Sequence, residues 1–210
     1  MRELRYTLLS EGSSDQTLIP VLTWLLREHL HEFALQSEWA DLRRLPKPPK
    51  KLAERIRACI DLYPCDLLFI HRDAEGESHG SRISEIHAAI AETVPQTQIR
   101  YVCVIPVRMT EAWLLLDCTA IRRSAGNPAG NMDLELPPLG TVEDIPNPKA
   151  LLYNLLLTAS GLHGRRRKQF RPQEAARRIP DFIGDFSPLR ELPAFRQLEG
   201  DLRRFALRLA

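Results

Sequence analysis

The run Leu67-Leu68-Phe69-Ile70 contains no polar residue and then breaks into His71-Arg72-Asp73-Ala74-Glu75-Gly76. A stretch this short and unalternating predicts a strand buried on both faces, as in the parallel sheet of an α/β domain. In such sheets ligands gather just beyond the carboxyl ends of the strands. His71, Asp73 and Glu75 fall in that position. A second polar edge lies upstream, where Tyr6-Thr7-Leu8-Leu9-Ser10 runs into Glu11-Gly12-Ser13-Ser14-Asp15. If the two strand ends are neighbours, they assemble carboxylates suited to a divalent cation.

The flanking sequence alternates strands with helices. Residues 4–10 predict the first strand. A helix follows from Ser14 or Asp15, with Leu18, Ile19, Leu22, Leu25, Leu26 and Leu30 on one stripe and Asp15 as its cap. Phe33 to Trp39 reads as a further strand. Pro46-Lys47-Pro48-Pro49 must be loop, because successive prolines remove donors and fix φ. Leu52, Ile56, Cys59 and Ile60 mark a second helix ended by Pro64, and the buried strand is expected over 66–71. Ile83, Ile86, Ile90 and Val94 predict a third helix closed by Pro95, and β-branched residues in 99–105 another strand. Beyond Pro106, Thr110 to Asp117 reads as a helix capped by Thr110, with Trp113 in the core. Residues 124–148 suggest an irregular connection, and helices are expected at 148–160 and 188–209. The predicted fold is α/β, a small parallel sheet flanked by helices over 1–117, with a mainly helical C-terminal extension over 118–210.

Composition narrows the function classes. At 44% hydrophobic residues the chain can bury a real core. No apolar run reaches the roughly 18 residues of a membrane span, and the N-terminus enters a strand without a signal-peptide pattern. Cys59, Cys65, Cys103 and Cys118 have no zinc spacing, which suits reduced thiols in a cytoplasmic protein. The net charge of +2 conceals an asymmetry: residues 161–210 hold 12 Lys/Arg against 6 Asp/Glu, the remainder 17 against 21. Within that last part, Arg165-Arg166-Arg167-Lys168 forms a dense basic segment, expected as a loop. Such runs hold phosphate backbones without reading sequence, and others simply stay solvated.

The chemistry expected at the acidic edges follows from the ion. Magnesium wants oxygens in octahedral array, usually one or two carboxylates with water and phosphate. Glu11, Asp73 and Glu75 are candidate ligands, with Glu111 as a further contributor after the last strand and Asp15 as an accessory. Taken singly, each acid is equally at home at a helix N-terminus or in a loop. The two clusters together favour a site. His71 has three readings: a buried hydrogen-bonded histidine, a metal ligand, or a proton carrier. His71-Arg72-Asp73 also matches the start of a kinase catalytic loop. Ser78 stands where that motif needs Asn, and no Gly-rich loop precedes it.

Glu11-Gly12-x-x-Asp15, followed by His71-x-Asp73-x-Glu75, resembles the TOPRIM fold of topoisomerases, primases and overcoming-lysogenization-defect nucleases. Ile105-Pro106-Val107-Arg108-Met109-Thr110-Glu111-Ala112-Trp113, Pro148-Lys149 and Leu189-Arg190 to Phe195 extend the likeness over nearly the whole chain. The resemblance is to a TOPRIM-like family often encoded beside ABC-type ATPases in defence-like operons. It implies a Mg²⁺- or Mn²⁺-dependent nuclease acting on DNA or RNA, with Glu11 and Asp73 catalytic, Glu11 in proton transfer or metal binding and Asp73 in metal binding. An ABC-type ATPase partner or a homo-oligomer is also implied, or else a non-catalytic subunit of an ATPase complex. The family's usual Asp-x-Asp carries His71 at its first position. Glu75 then supplies the missing charge, or one metal binds instead of two, or activity is lost.

Overall fold

The computed structural model describes residues 2–93 and 99–209. Four parallel strands form one sheet: β1 (Arg2–Leu9), β2 (Phe33–Trp39), β3 (Leu67–His71) and β4 (Tyr101–Val104), in the order β2-β1-β3-β4. Eight α-helices accompany them among the described residues: α1 (Leu18–His29), α2 (Leu52–Leu62), α3 (His79–Thr93), α4 (Cys118–Ser124), α5 (Pro148–Ala159), α6 (Gly164–Gln169), α7 (Pro172–Ala176) and α8 (Pro193–Ala206). The α/β class, with helices on the sheet and a helical C-terminal part, is as the sequence predicts. No helix is long and apolar enough to cross a membrane among the described residues.

Side chains on a strand alternate between faces, and β3 shows why its apolar run is continuous. Leu67 and Phe69 point into a core with α1 and the C-terminal helices, while Leu68 and Ile70 point into another with α2 and α3. Each residue of β3 is buried. Tyr6 meets Phe69 edge to face at 5.5 Å between centroids, and Trp113 meets Phe195 likewise at 5.4 Å. Trp113 is fully buried, a core residue as expected. One apolar cluster joins β1 and α1 to Leu152, Phe195 and Phe205, so the C-terminal helices build the same core as the sheet.

The strand order has a direct consequence for ligands. After β1 the chain crosses over α1 to β2 on one side. After β2 it returns over α2 to β3 on the other side of β1. The reversal leaves the carboxyl ends of β1 and β3 adjacent, with Leu9 opposite Ile70. This switch point is where open α/β sheets leave a crevice.

Several local expectations need correction. The segment after β1 opens as a 3₁₀ turn, Ser13–Thr17, and α1 begins only at Leu18, so Asp15 does not cap it. Thr110–Leu114 is likewise a 3₁₀ turn, with Met109 and not Thr110 at the cap position. The following helix starts instead at Asp117, whose carboxylate accepts from the N–H groups of Thr119 and Ala120. The expected helix 188–209 is divided: Ser187–Glu191 is a 3₁₀ turn, and Pro193 sits in the first turn of α8, where its missing N–H costs nothing. The basic segment forms α6 rather than a loop. Val94 and Pro95, expected to end α3, lie outside the described residues.

Candidate functional site

The switch point is organised by His71, the last residue of β3. Strand parity turns its ring to the α1 face, together with Leu67 and Phe69, and its side chain is 0% exposed. Asp15 arrives from the turn after β1 and Asp73 from the loop after β3. Nε2 of His71 lies 3.1 Å from Asp73 Oδ1, and Nδ1 lies 3.4 Å from Asp15 Oδ2. The second contact is a close ion pair without good hydrogen-bond alignment, and Nδ1 has no other partner. Burial alone would favour a neutral ring. Two carboxylates outweigh it and raise the pKa from 6.5 to about 9, so the ring is an imidazolium at neutral pH. Asp15 mirrors this balance. Burial opposes its ionisation, yet His71, the Gly12 N–H at 2.8 Å and the Ser14 hydroxyl at 3.1 Å hold the carboxyl below its ordinary value.

Asp73 is fixed from a second direction. The Thr110 N–H donates to its Oδ1 at 3.1 Å, and the Thr110 hydroxyl lies 3.1 Å from His71 Nε2. Thr110 therefore links the turn after β4 to the strand end rather than capping a helix. All hydrogen bonds to Asp73 among the described residues fall on Oδ1. Its Oδ2 is uncommitted.

The other candidates lie around this centre in different pairings. Glu11 forms an ion pair with Arg72 at 2.6 Å, and Arg72 reaches Glu85 at 3.1 Å, which in turn holds Arg82 at 3.0 Å. Arg55 donates to the Ser10 carbonyl from α2. Glu111 is paired with Lys149 of α5 at 3.0 Å. Glu75 is exposed, with a left-handed φ of +50°, next to Gly76 at +99° in the same turn. Arg165, Arg166, Arg167 and Lys168 are all exposed on α6.

Asp15, His71 and Asp73 thus form one contact network, Glu11 pairs with Arg72 on the α2–α3 face, Glu111 pairs with Lys149, and Glu75 and the basic residues of α6 are exposed. Among the described residues no three Asp, Glu, His or Cys side chains are grouped to hold a metal ion. The arginines beside Glu11 were not singled out from sequence. Arg72 was visible as the middle residue of His71-Arg72-Asp73, and parity alone directs it to the α2–α3 face. Arg55 and Arg82 sit on helices with no sequence signal to join them to a strand end.

A doubly protonated imidazole has no lone pair for a metal, so His71 serves as a cation between carboxylates. Glu11 is 34% exposed at the side chain, and Asp73 keeps one oxygen uncommitted. Magnesium that keeps most of its waters and arrives with a phosphate needs only one or two carboxylates, and an all-protein cage needs more than these two residues supply. No protein-family model, curated protein or solved structure matches the chain.

Proposed function

We propose that the chain is a metal-dependent phosphodiesterase of TOPRIM type, acting on nucleic acid at the switch point between β1 and β3. The observation carrying this reading is the strand-end pairing of Asp15 and Asp73 through the His71 imidazolium, with Glu11 on the neighbouring strand end. Glu11 and Asp73 would hold Mg²⁺ or Mn²⁺, which when bound polarises a phosphate and lowers the pKa of coordinated water. The protein's own residues do the remaining work. His71 and Thr110 fix the Asp73 carboxylate through one oxygen and leave the other without a hydrogen bond among the described residues. Arg72 and Arg82 place positive charge beside Glu11, where a phosphodiester would approach. Asp15 keeps His71 protonated, so the departure from Asp-x-Asp becomes a positioning device.

A second reading is favoured by a specific observation. Glu11, Asp73 and Glu111 each already face a cation of the protein, namely Arg72, His71 and Lys149. An acidic edge neutralised from within suits a non-catalytic binding subunit of an ABC-type ATPase complex. Incubation of purified protein with single- and double-stranded DNA and with RNA, in Mg²⁺ and in Mn²⁺, separates the two. The phosphodiesterase reading expects metal-dependent cleavage that disappears in Asp73→Asn. Inert wild-type protein with every substrate and both metals, alone and with the ATPase, would overturn it.

A further inference from the structure

A cavity of about 220 Å³ opens at Thr110, the residue that hydrogen-bonds Asp73, and at Ser14, which hydrogen-bonds Asp15. Its wall is shared by two distant parts of the chain. Thr110, which fixes Asp73, and Glu111 line it from the turn after β4, while Lys149, Tyr153, Gln173 and Arg177 come from the C-terminal helices. Leu114 and Ala176 supply apolar surface. At this size the cavity is smaller than the pockets of about 300–1,000 Å³ that enclose drug-sized ligands. It admits a phosphoryl group and part of its sugar, not a dinucleotide.

The charge inside is unbalanced. Two cations, Lys149 and Arg177, face one carboxylate, Glu111, which pairs with Lys149 at 3.0 Å. Burial works against the ammonium of Lys149. Glu111 and, more weakly, Asp73 outweigh it, so this cation lies within electrostatic reach of the carboxylate assigned to the metal. Arg177 makes no ion pair among the described residues: its hydrogen bond goes to the neutral hydroxyl of Ser13 at 3.0 Å, in the turn after β1. A guanidinium carries five donors in a planar fork suited to phosphate. One donor engaged by a hydroxyl leaves most of that fork available. Tyr153 and Gln173 add a hydroxyl and a carboxamide.

Resting on the reading of this edge as a nucleic-acid site, we propose that the cavity binds the nucleotide phosphate next to the one held at Glu11 and Asp73, through Lys149 and Arg177. The C-terminal helices thereby complete the site, supplying a subsite that the strand ends lack. The cavity binds by charge and shape, so it takes a phosphorylated nucleotide and rejects the bare nucleoside.

The test is a titration of the full chain with thymidine 5′-monophosphate and with thymidine, in EDTA, followed by ligand-observed NMR. The monophosphate is expected to bind and thymidine not to. Arg177→Ala and Lys149→Ala should each weaken binding by about tenfold, the range of a lost charge-assisted hydrogen bond. Glu111→Gln, which releases Lys149 from its pair, should tighten it, and exposed Arg57→Ala should leave it unchanged. Absence of monophosphate binding, or equal binding by wild type, Arg177→Ala and Lys149→Ala, overturns the subsite. Because EDTA removes the metal, the outcome is independent of cleavage. Protein that binds through Lys149 and Arg177 yet cleaves nothing refutes the phosphodiesterase alone. Protein that cleaves but binds without regard to these two residues refutes the subsite alone.

Discussion

Two buried histidine–carboxylate networks in this molecule look alike in their parts and differ in their balance. At the strand ends one cation, His71, stands between two carboxylates, Asp15 and Asp73. Between α1 and α8 one buried carboxylate, Glu199, is surrounded by three basic groups: His29 at 2.9 Å, Arg190 at 2.9 Å and Arg203 at 3.3 Å. Arg190 also reaches Glu28 at 3.3 Å and lies over the Trp24 ring at 5.1 Å. The second network is a clasp between helices. Each oxygen of Glu199 is used, and any one partner can be lost with two remaining. At the strand ends His71 is the one cation paired with either carboxylate among the described residues, and the other contacts are neutral donors, Gly12 and Ser14 to Asp15 and Thr110 to Asp73. Both carboxylates share that single ring as their cation. The clasp at Glu199 is redundant in cations, and the strand-end network leaves one acceptor oxygen of Asp73 without a hydrogen bond among the described residues.

Removing the histidine from each network probes that contrast most strongly. His71→Ala leaves Asp15 buried with no cation, and breaking such a pair costs about 3–5 kcal/mol. His29→Ala leaves Glu199 with both arginines and is expected to cost about 1 kcal/mol or less. Urea unfolding of the two variants against wild type measures both. Equal losses would erase the distinction between site and clasp.

The pH dependence of stability is expected to come next in size. The His71 pKa is raised from 6.5 to about 9 in the folded protein. Its contribution is therefore fully present below pH 6.5 and is lost as pH rises through 9. A shift of that size corresponds to about 3 kcal/mol. Denaturation midpoints should fall across that window in wild type and stay flatter in His71→Ala. A wild-type profile as flat as the variant's would mean that the ring is neutral and that Asp15 and Asp73 are held by other means.

The smallest effect is expected far from either network, at α6. Replacing Arg165, Arg166 and Arg167 together with Ala should weaken nucleic-acid binding and flatten its dependence on salt, because fewer counterions are released. Stability should change little, since these side chains are exposed. A salt slope identical to wild type's would assign this helix to the solvated surface and leave the strand edge and its cavity as the whole binding face.

The sequence by itself determined the elements whose signal is local. The uninterrupted run at Leu67–Ile70 suits a strand covered on both faces, and β3 is that strand. The leucine stripe after Asp15 produced α1, and polar residues following two apolar runs marked the strand ends. Where a charged run hid periodicity, as at Arg165–Lys168, the local signal failed and a helix was missed. Where Pro193 interrupted a continuous apolar stripe, one helix was expected and a 3₁₀ turn followed by α8 was found. Only the tertiary structure decided what the acidic residues do. Spacing along the chain marks Glu11, Asp15, Asp73 and Glu111 as residues that follow strands, but the strand order decides which are neighbours, and what packs against each decides how its charge is neutralised. Strand parity sends His71 to the α1 face, where it meets Asp15, and Arg72 to the opposite face, where it meets Glu11. The fold of the C-terminal helices brings Lys149 to Glu111 and Arg177 to Ser13 across 38 and 164 residues of sequence. Coulomb interactions depend on distance in space and on local water, and neither is written in the order of the residues.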